Sequence, residues 1–431
     1  MINSRLVLQK GAVEMVAQEF GKQFPGKKPI VVADTNTWSV CGKRVAAQFP
    51  ECGYFIFDGD EVYADDKHVD VVCGLLEKDA DLTAVAVGSG TLNDLCKRAS
   101  FVCGKRPYMC VATAPSVDGF TSNGAAITDH GLKVTLPCPA PVLVMADPEV
   151  LRNAPLGMIS SGYGDLAAKV PAGADWLIAD CLGVEKVDKN VWDIVQPKLR
   201  DQIGEPEQLH NRDGEAIARV FDGLIHTGFA MQEYFDSRPA SGADHLMSHV
   251  WEMNECCMVG GKAASHGFKV AIGTLASTAS MGELLKMSSS DVRKWIETSH
   301  HETWDERVAS ISEAVSIPSV RERQIEICRK KFQEGKALEE RQHDIVDKWE
   351  EIKRRIKGQI LPFDEMRRRF SLAGCPVEPS DIGLSLSDFK YGMRVAQIMR
   401  NRYTNLDLLY EIGMLSHMVD VVSGYFHSYR G

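Results

Sequence analysis

Three histidines raise the first chemical question. In "SGADHLMSHVWEM" (241–253) His245 and His249 stand at i and i+4, and "SHGFKV" adds His266 further on. Positions i and i+4 share one face of a helix, so the first two imidazoles can point into one cleft. A single histidine is more often a core or surface group than a ligand, so spacing alone does not make a metal site. Leu246 occupies the place where HExxH proteases carry their general-base glutamate, which excludes that chemistry. A metal centre open to substrate needs about three protein ligands, mixing imidazole and carboxylate. "SSGYGDLAAK" (160–169) offers Asp165 behind Gly162 and Gly164 at an expected helix start. Lys169, one turn later, is a candidate for holding an anion.

A second stretch points to a diphosphate. "AVAVGSGTLNDLCKRAS" (84–100) sets Gly88, Ser89 and Gly90 between an apolar strand and a helix. Glycines there let a diphosphate approach the backbone, and the first N–H groups of the helix donate to it. The third glycine of the usual dinucleotide fingerprint is absent, so the motif needs support from its surroundings. Asp34 ends the run "VVAD", where a carboxylate can accept from ribose hydroxyls and repel an extra 2′-phosphate. The plain alternative for Asp34 is a helix N-cap. NAD is therefore expected over NADP, although Thr35, Asn36 and Thr37 offer hydroxyl and amide donors to that phosphate.

The elements that must position these residues follow from periodicity. "PIVVAD" (29–34), "YFIFDG" (54–59), "LTAVAVGSG" (82–90) and "YMCVATAPS" (108–116) are apolar on both faces and alternate with helical patterns, as in a covered parallel sheet. "NGAAITDHGLKVTLP" (123–137) predicts a β-hairpin turning at Asp129-His130-Gly131, inserted before a last strand, "PVLVMAD" (141–147). Beyond this, helical periodicity dominates. The expected fold is α/β: a Rossmann-like parallel-sheet domain over 1–150 with an inserted hairpin, then a mainly α-helical metal- and substrate-binding domain over 151–431, with the metal site in the cleft between them. Pro and Gly in 358–385 suggest a subdomain joint.

Composition narrows the function. The 431 residues carry 49 Lys+Arg against 59 Asp+Glu, a net charge of −10, which argues against a nucleic-acid partner. "MRRRF" (366–370) and "RKKF" (329–332) sit among acidic residues and read as solvated helix faces. No apolar run has the length of a membrane span, and the N-terminus lacks a signal-peptide core. Twelve cysteines without a CxxC pair, such as Cys110 in a strand, fit reduced thiols in a cytoplasmic protein.

Taken together and in order, "GSGTLND", "TAPSVDGFTSNGAAI", "GYGDLAAK", "SGADHLMSHVWEM" and "HGFKVAIGT" closely resemble the sn-glycerol-1-phosphate dehydrogenases, particularly their longer bacterial type. These share a superfamily with iron-type alcohol dehydrogenases, glycerol dehydrogenase and dehydroquinate synthase. The resemblance runs from about residue 25 to 280 and becomes general beyond about 330. It implies that Asp165, His245 and His266 ligate one divalent metal, zinc or nickel, while His249 faces the substrate. Asp118 matches a substrate-contacting aspartate. Gly88, Ser89, Gly90, Thr91 and Leu92, then Thr113, Ala114, Pro115 and Ser116, and finally Ser122 match cofactor-contacting segments.

The implied reaction is reversible hydride exchange between NAD(P)H and dihydroxyacetone phosphate, giving sn-glycerol 1-phosphate. One carboxylate and two neutral imidazoles leave a divalent ion a net charge of about +1, suited to an anionic substrate and to polarising its carbonyl. His249, or a water it holds, is placed to supply the proton, and Asp118 to orient a hydroxyl. Asp165 thus has a catalytic as well as a ligating part. Without a phosphate site the same core suits unphosphorylated glycerol. A dehydroquinate-synthase-like lyase is a further alternative, disfavoured because Asp165 stands where that branch has Glu; a binding protein without catalysis is another. Relatives of this kind are commonly homo-oligomers.

Overall fold

In the computed structural model, which describes residues 2–129, 132–315 and 317–427, the chain forms two compact units. One comprises the chain up to Leu166 together with Asp193–Ser237; the other comprises Ala167–Trp192 and the chain from Arg238 onward.

The first unit is built on six parallel strands: β1 (Arg5–Leu8), β2 (Lys28–Asp34), β3 (Gly53–Phe57), β4 (Leu82–Gly88), β5 (Met109–Ala112) and β8 (Leu143–Ala146), in the order β1-β8-β5-β4-β2-β3. Their alternation is one of size. Val31, Ala33, Val85, Val87, Met109, Val111, Leu143 and Met145 pack with Val13, Val16, Phe20 and Val45 in one core cluster. The intervening positions include Ala84, Ala86, Cys110, Ala112 and Ala146, all buried, and such small side chains let covering elements approach closely. The antiparallel pair β6 (Ala125–Asp129) and β7 (Leu132–Leu136) forms the predicted hairpin; its turn residues His130 and Gly131 lie outside the described residues.

Strand order creates a candidate ligand edge. From β2 the chain moves outward to β3, then returns across β2 to β4, so the topological switch lies between β2 and β4. In open α/β sheets ligands bind at the carboxyl ends of strands flanking such a point. Register pairs Val32 with Ala86, which brings Asp34 and Gly88 to that edge side by side.

The second unit is mainly helical, as expected, with one addition: β9 (Met258–Val259) and β10 (Lys262–Ala263) form a short hairpin between the helices that carry the histidines. Two residues per strand leave no periodicity to detect. The helix His266–Lys286 runs through the unit with most of its residues buried all round, as a central core helix does.

Two sequence expectations about organisation differ from the structure, and one strand was not anticipated. The division falls neither at 150 nor at one point, because the helix Gly214–Tyr234 belongs to the sheet unit. Thr121 Oγ1 donates to the Ile225 carbonyl at 2.8 Å, and Tyr163 Oη to that of Ile203 at 2.8 Å. The stretch 358–385 is no joint: Met366, Phe370 and Ala373 on the helix Phe363–Ala373 are fully buried within the helical unit. Arg368 and Arg369 meanwhile pair with Glu365 on its outer side. Finally, β1 was not anticipated; a four-residue edge strand carries too little pattern.

Candidate functional site

In the sheet unit the helix Gly90–Val102 begins directly after β4, with Ser89 at its N-cap and no side chain capping it. The first N–H groups of this helix, around Gly90, Thr91 and Leu92, therefore have no capping side chain, the arrangement that accepts a diphosphate. Gly88 lies tight against Leu92: a Cβ there would stand 2.4 Å from Leu92 Cδ1. Asp34 does cap, accepting from the Thr37 N–H at 2.8 Å, and it does so at the same edge. The N-cap alternative for Asp34 is thus realised.

After β5, Thr113 and Ala114 are buried, with the Thr113 N–H donating to the Gly88 carbonyl at 3.1 Å. Pro115 and Ser116 continue toward a short turn, Asp118–Thr121. Ser122 Oγ donates to the Gly119 carbonyl at 3.1 Å. Sequence reasoning missed Lys97. Fully buried, its ammonium donates to the carbonyls of Gly119 and Gly124, both at 2.8 Å, and so clamps the 118–124 turn. The signal was a lysine among the positions that bury Leu92, Leu95, Cys96 and Ala99 on the same helix. A cavity of about 440 Å³ lined by Phe101, Tyr108 and Val142 lies at the opposite ends of β5 and β8, away from this edge.

Asp165 is fully buried and accepts from the Asp118 backbone N–H at 2.9 Å. Its helix, Leu156–Ala167, starts well before it, so the glycines preceding it do not mark a helix start as expected. Gly162 serves close approach instead: a Cβ there would lie 1.7 Å from the Pro115 carbonyl oxygen. This packs the helix onto the 113–118 segment and brings Asp118 to Asp165.

The helical unit gathers all three imidazoles. His245 and His266 have ring centroids 5.5 Å apart, His249 and His266 6.1 Å, and His245 and His249 6.5 Å. Two sit on the helix Ala243–Met253, and His266 opens the helix His266–Lys286, where Ser265 accepts from the Phe268 N–H as N-cap. His245 is buried and hydrogen-bonds through Nδ1 to Asp244. His249 remains 35% exposed, and its Nδ1 lies 4.0 Å from Glu252, itself bound by Lys269 at 2.8 Å. Packing around the His249 ring outweighs Glu252 and pushes its pKa below the ordinary imidazole value. Lys169 is fully buried at the start of the helix Lys169–Cys181, not on the surface.

Comparison with known proteins assigns the class. Residues 7–155 match the family model of iron-containing alcohol dehydrogenases. A crystal structure of a probable glycerol dehydrogenase from Sinorhizobium meliloti shares the fold, with a TM-score of 0.62, 14% identity and coverage of 99% of this chain and 97% of that one. The chain is 36% identical over 261 residues to a glycerol-1-phosphate dehydrogenase (NAD(P)+) of Geobacillus thermodenitrificans, covering 59% of this chain and 63% of that protein. It is 30% identical over 293 residues to the enzyme so named from Bacillus licheniformis, covering 67% of this chain and 72% of the relative. The chain belongs to the glycerol-1-phosphate dehydrogenase family. It spans just under two thirds of the length of the Geobacillus relative.

Proposed function

We propose that the protein is a metal-dependent, NAD(P)-linked sn-glycerol-1-phosphate dehydrogenase that interconverts dihydroxyacetone phosphate and sn-glycerol 1-phosphate. The observation that carries this is the imidazole cluster, in which His245 meets Asp244 through Nδ1 and its ring lies 5.5 Å from that of His266. Asp165, His245 and His266 are the proposed donor set. One buried carboxylate and two imidazoles suit zinc, nickel or iron, so the residues fit the group the family implies.

When bound, the nicotinamide supplies the hydride and the divalent ion polarises the substrate carbonyl. The rest falls to the chain. The turn Gly88–Leu92 and the segments 113–116 and 122 hold the dinucleotide, with Asp34 on the ribose favouring NAD over NADP. Asp118 orients a substrate hydroxyl. His249, partly open and largely neutral, exchanges the proton with the developing alkoxide oxygen, directly or through water. Lys169 is the cation proposed for the phosphate, since an ammonium removed from water interacts strongly with a dianion.

The test is NADH oxidation by metal-loaded protein with dihydroxyacetone phosphate or dihydroxyacetone at equal concentration, followed by the C2 configuration of the product. Preference for the phosphate with sn-glycerol 1-phosphate formed is the expected result. Preference for dihydroxyacetone would make the protein a polyol dehydrogenase, and no oxidation of NADH with either would overturn the reading.

A further inference from the structure

Asp244 is fully buried and adjacent to His245. Its Oδ1 accepts from the His245 N–H at 2.7 Å and the Gly242 N–H at 3.4 Å, and meets His245 Nδ1 in a short hydrogen bond. An oxygen already accepting from two backbone donors is an acceptor toward the ring as well, so Nδ1 carries the hydrogen. Nε2 is then the unprotonated ring nitrogen.

Oδ2 of Asp244 is buried with no hydrogen-bond partner among the described residues, and the backbone around the carboxylate is packed tightly. Gly242 has no room for a side chain: a Cβ would lie 2.5 Å from Asp175 Oδ2, 2.7 Å from Ala172 Cα and 3.0 Å from Asp244 Oδ2. On the facing helix a Cβ at Gly273 would stand 2.3 Å from the Asp244 carbonyl oxygen. Asp175, also fully buried, accepts from the Ala243 N–H at 2.8 Å, and through its other oxygen from the Asn405 N–H and Nδ2 at 2.7 and 2.9 Å. Ser280 Oγ in turn donates to Asn405 Oδ1 at 3.1 Å. The start of the His245 helix is thus tied to Asp175 and, through it, to residues near the end of the chain.

We propose that Asp244 is the positioning residue that fixes the tautomer and ring orientation of His245, and that Asp175 with Asn405 holds the helix start where Asp244 can do so. The role rests on the metal reading above. Partners of this kind are worth about 10–100-fold in metal affinity.

The experiment combines two measurements on full-length protein. Nitrogen-15 NMR of labelled histidines in the metal-free protein at pH 8 reads the tautomer, with His245 assigned by its loss in His245→Asn. Chelator competition with Zn²⁺ then compares wild type with Asp244→Asn and Asp244→Ser. The expected result is an Nδ1–H tautomer for His245 in the wild type, its loss in both variants, and Zn²⁺ affinity lowered about 10–100-fold. Failure of a variant to fold leaves the wild-type tautomer as the deciding measurement. An Nε2–H tautomer in the wild type, or variants within threefold of its affinity, would overturn the role of Asp244 and leave the metal reading standing. A wild type that takes up no divalent ion would overturn both.

Discussion

The two units build their chemistry from different materials. In the sheet unit, the carboxylates of Asp34, Asp118 and Asp165 apart, the decisive groups are backbone: N–H donors around Gly90, the Asp118 N–H on Asp165, and carbonyls of Gly119 and Gly124 clamped by Lys97. In the helical unit they are buried side chains supported by others far away in sequence, such as Asp175 with Asn405, Lys331 with Asp407 at 2.6 Å and Arg341 with Glu411 at 3.5 Å. Strand ends and a topological switch present backbone to a ligand without further help. A helix satisfies its own backbone, so what it offers a ligand is side chains, and burying those demands partners.

The sharpest test of the difference removes side chains from the helical unit. His245→Ala and His266→Ala are expected to abolish metal retention and lower turnover by more than about 10³-fold, as loss of a Lewis acid does. His249→Ala should keep the metal, measured by elemental analysis after gel filtration, and lose on the order of 10²-fold in kcat. Equal metal loss in all three would undo the division of roles. In the sheet unit the matching substitution is Gly88→Ala, whose Cβ would crowd Leu92 at the phosphate turn. NADH affinity, followed by fluorescence titration, should weaken by about 10-fold or more with metal content unchanged. Loss of metal in that variant would show that the two materials are not independent.

The same difference explains what was legible in the sequence. Strands β2, β4, β5 and β8, the hairpin and the glycine turn after β4 were read because apolar runs and glycines mark where backbone must go. The histidine cluster was read from its spacing and from family resemblance. Asp244 was passed over because neighbours in a helix do not face each other; its contact with His245 depends on its place in the first turn. Asp175 and Asn405 were invisible as a pair, since nothing local joins residues so distant in the chain. The glycines before Asp165 misled for a related reason: they serve packing against Pro115, which only the folded chain reveals.

A smaller effect is expected at the sheet edge. Asp34→Ala removes both a cap on Thr37 and the carboxylate proposed to face the ribose. The ratio of kcat/KM for NADPH over NADH should rise about 10-fold, for a gain of roughly 1.4 kcal/mol in relative transition-state binding. Stability should fall by about 1 kcal/mol from the lost cap. An unchanged ratio with the stability loss alone would leave Asp34 a structural residue.

A last effect lies in the Glu411 cluster of the helical unit and tests whether its buried charges carry a cost of their own. Burial pushes the Glu411 carboxyl up to about 7, against the opposing pull of Arg341 and of the Tyr403 hydroxyl, which donates to it at 2.5 Å. Below its unfolded value of 4.5 both states are protonated and the group costs nothing. Between 4.5 and about 7 the unfolded chain releases the proton while the folded one keeps it, so stability falls as pH rises through that window. Above it the loss is constant, on the order of 3 kcal/mol. Glu411→Gln keeps an acceptor for Tyr403 and removes the titration. Relative to wild type, its thermal midpoint should therefore be higher at pH 8 than at pH 5 by a few °C, as differential scanning calorimetry would read it. The other buried carboxylates titrate in both proteins and cancel in the difference. A difference of the opposite sign would mean that the ionised carboxylate, paired with Arg341, stabilises the folded unit outright, and that burying side-chain charge there is not the cost its surroundings imply.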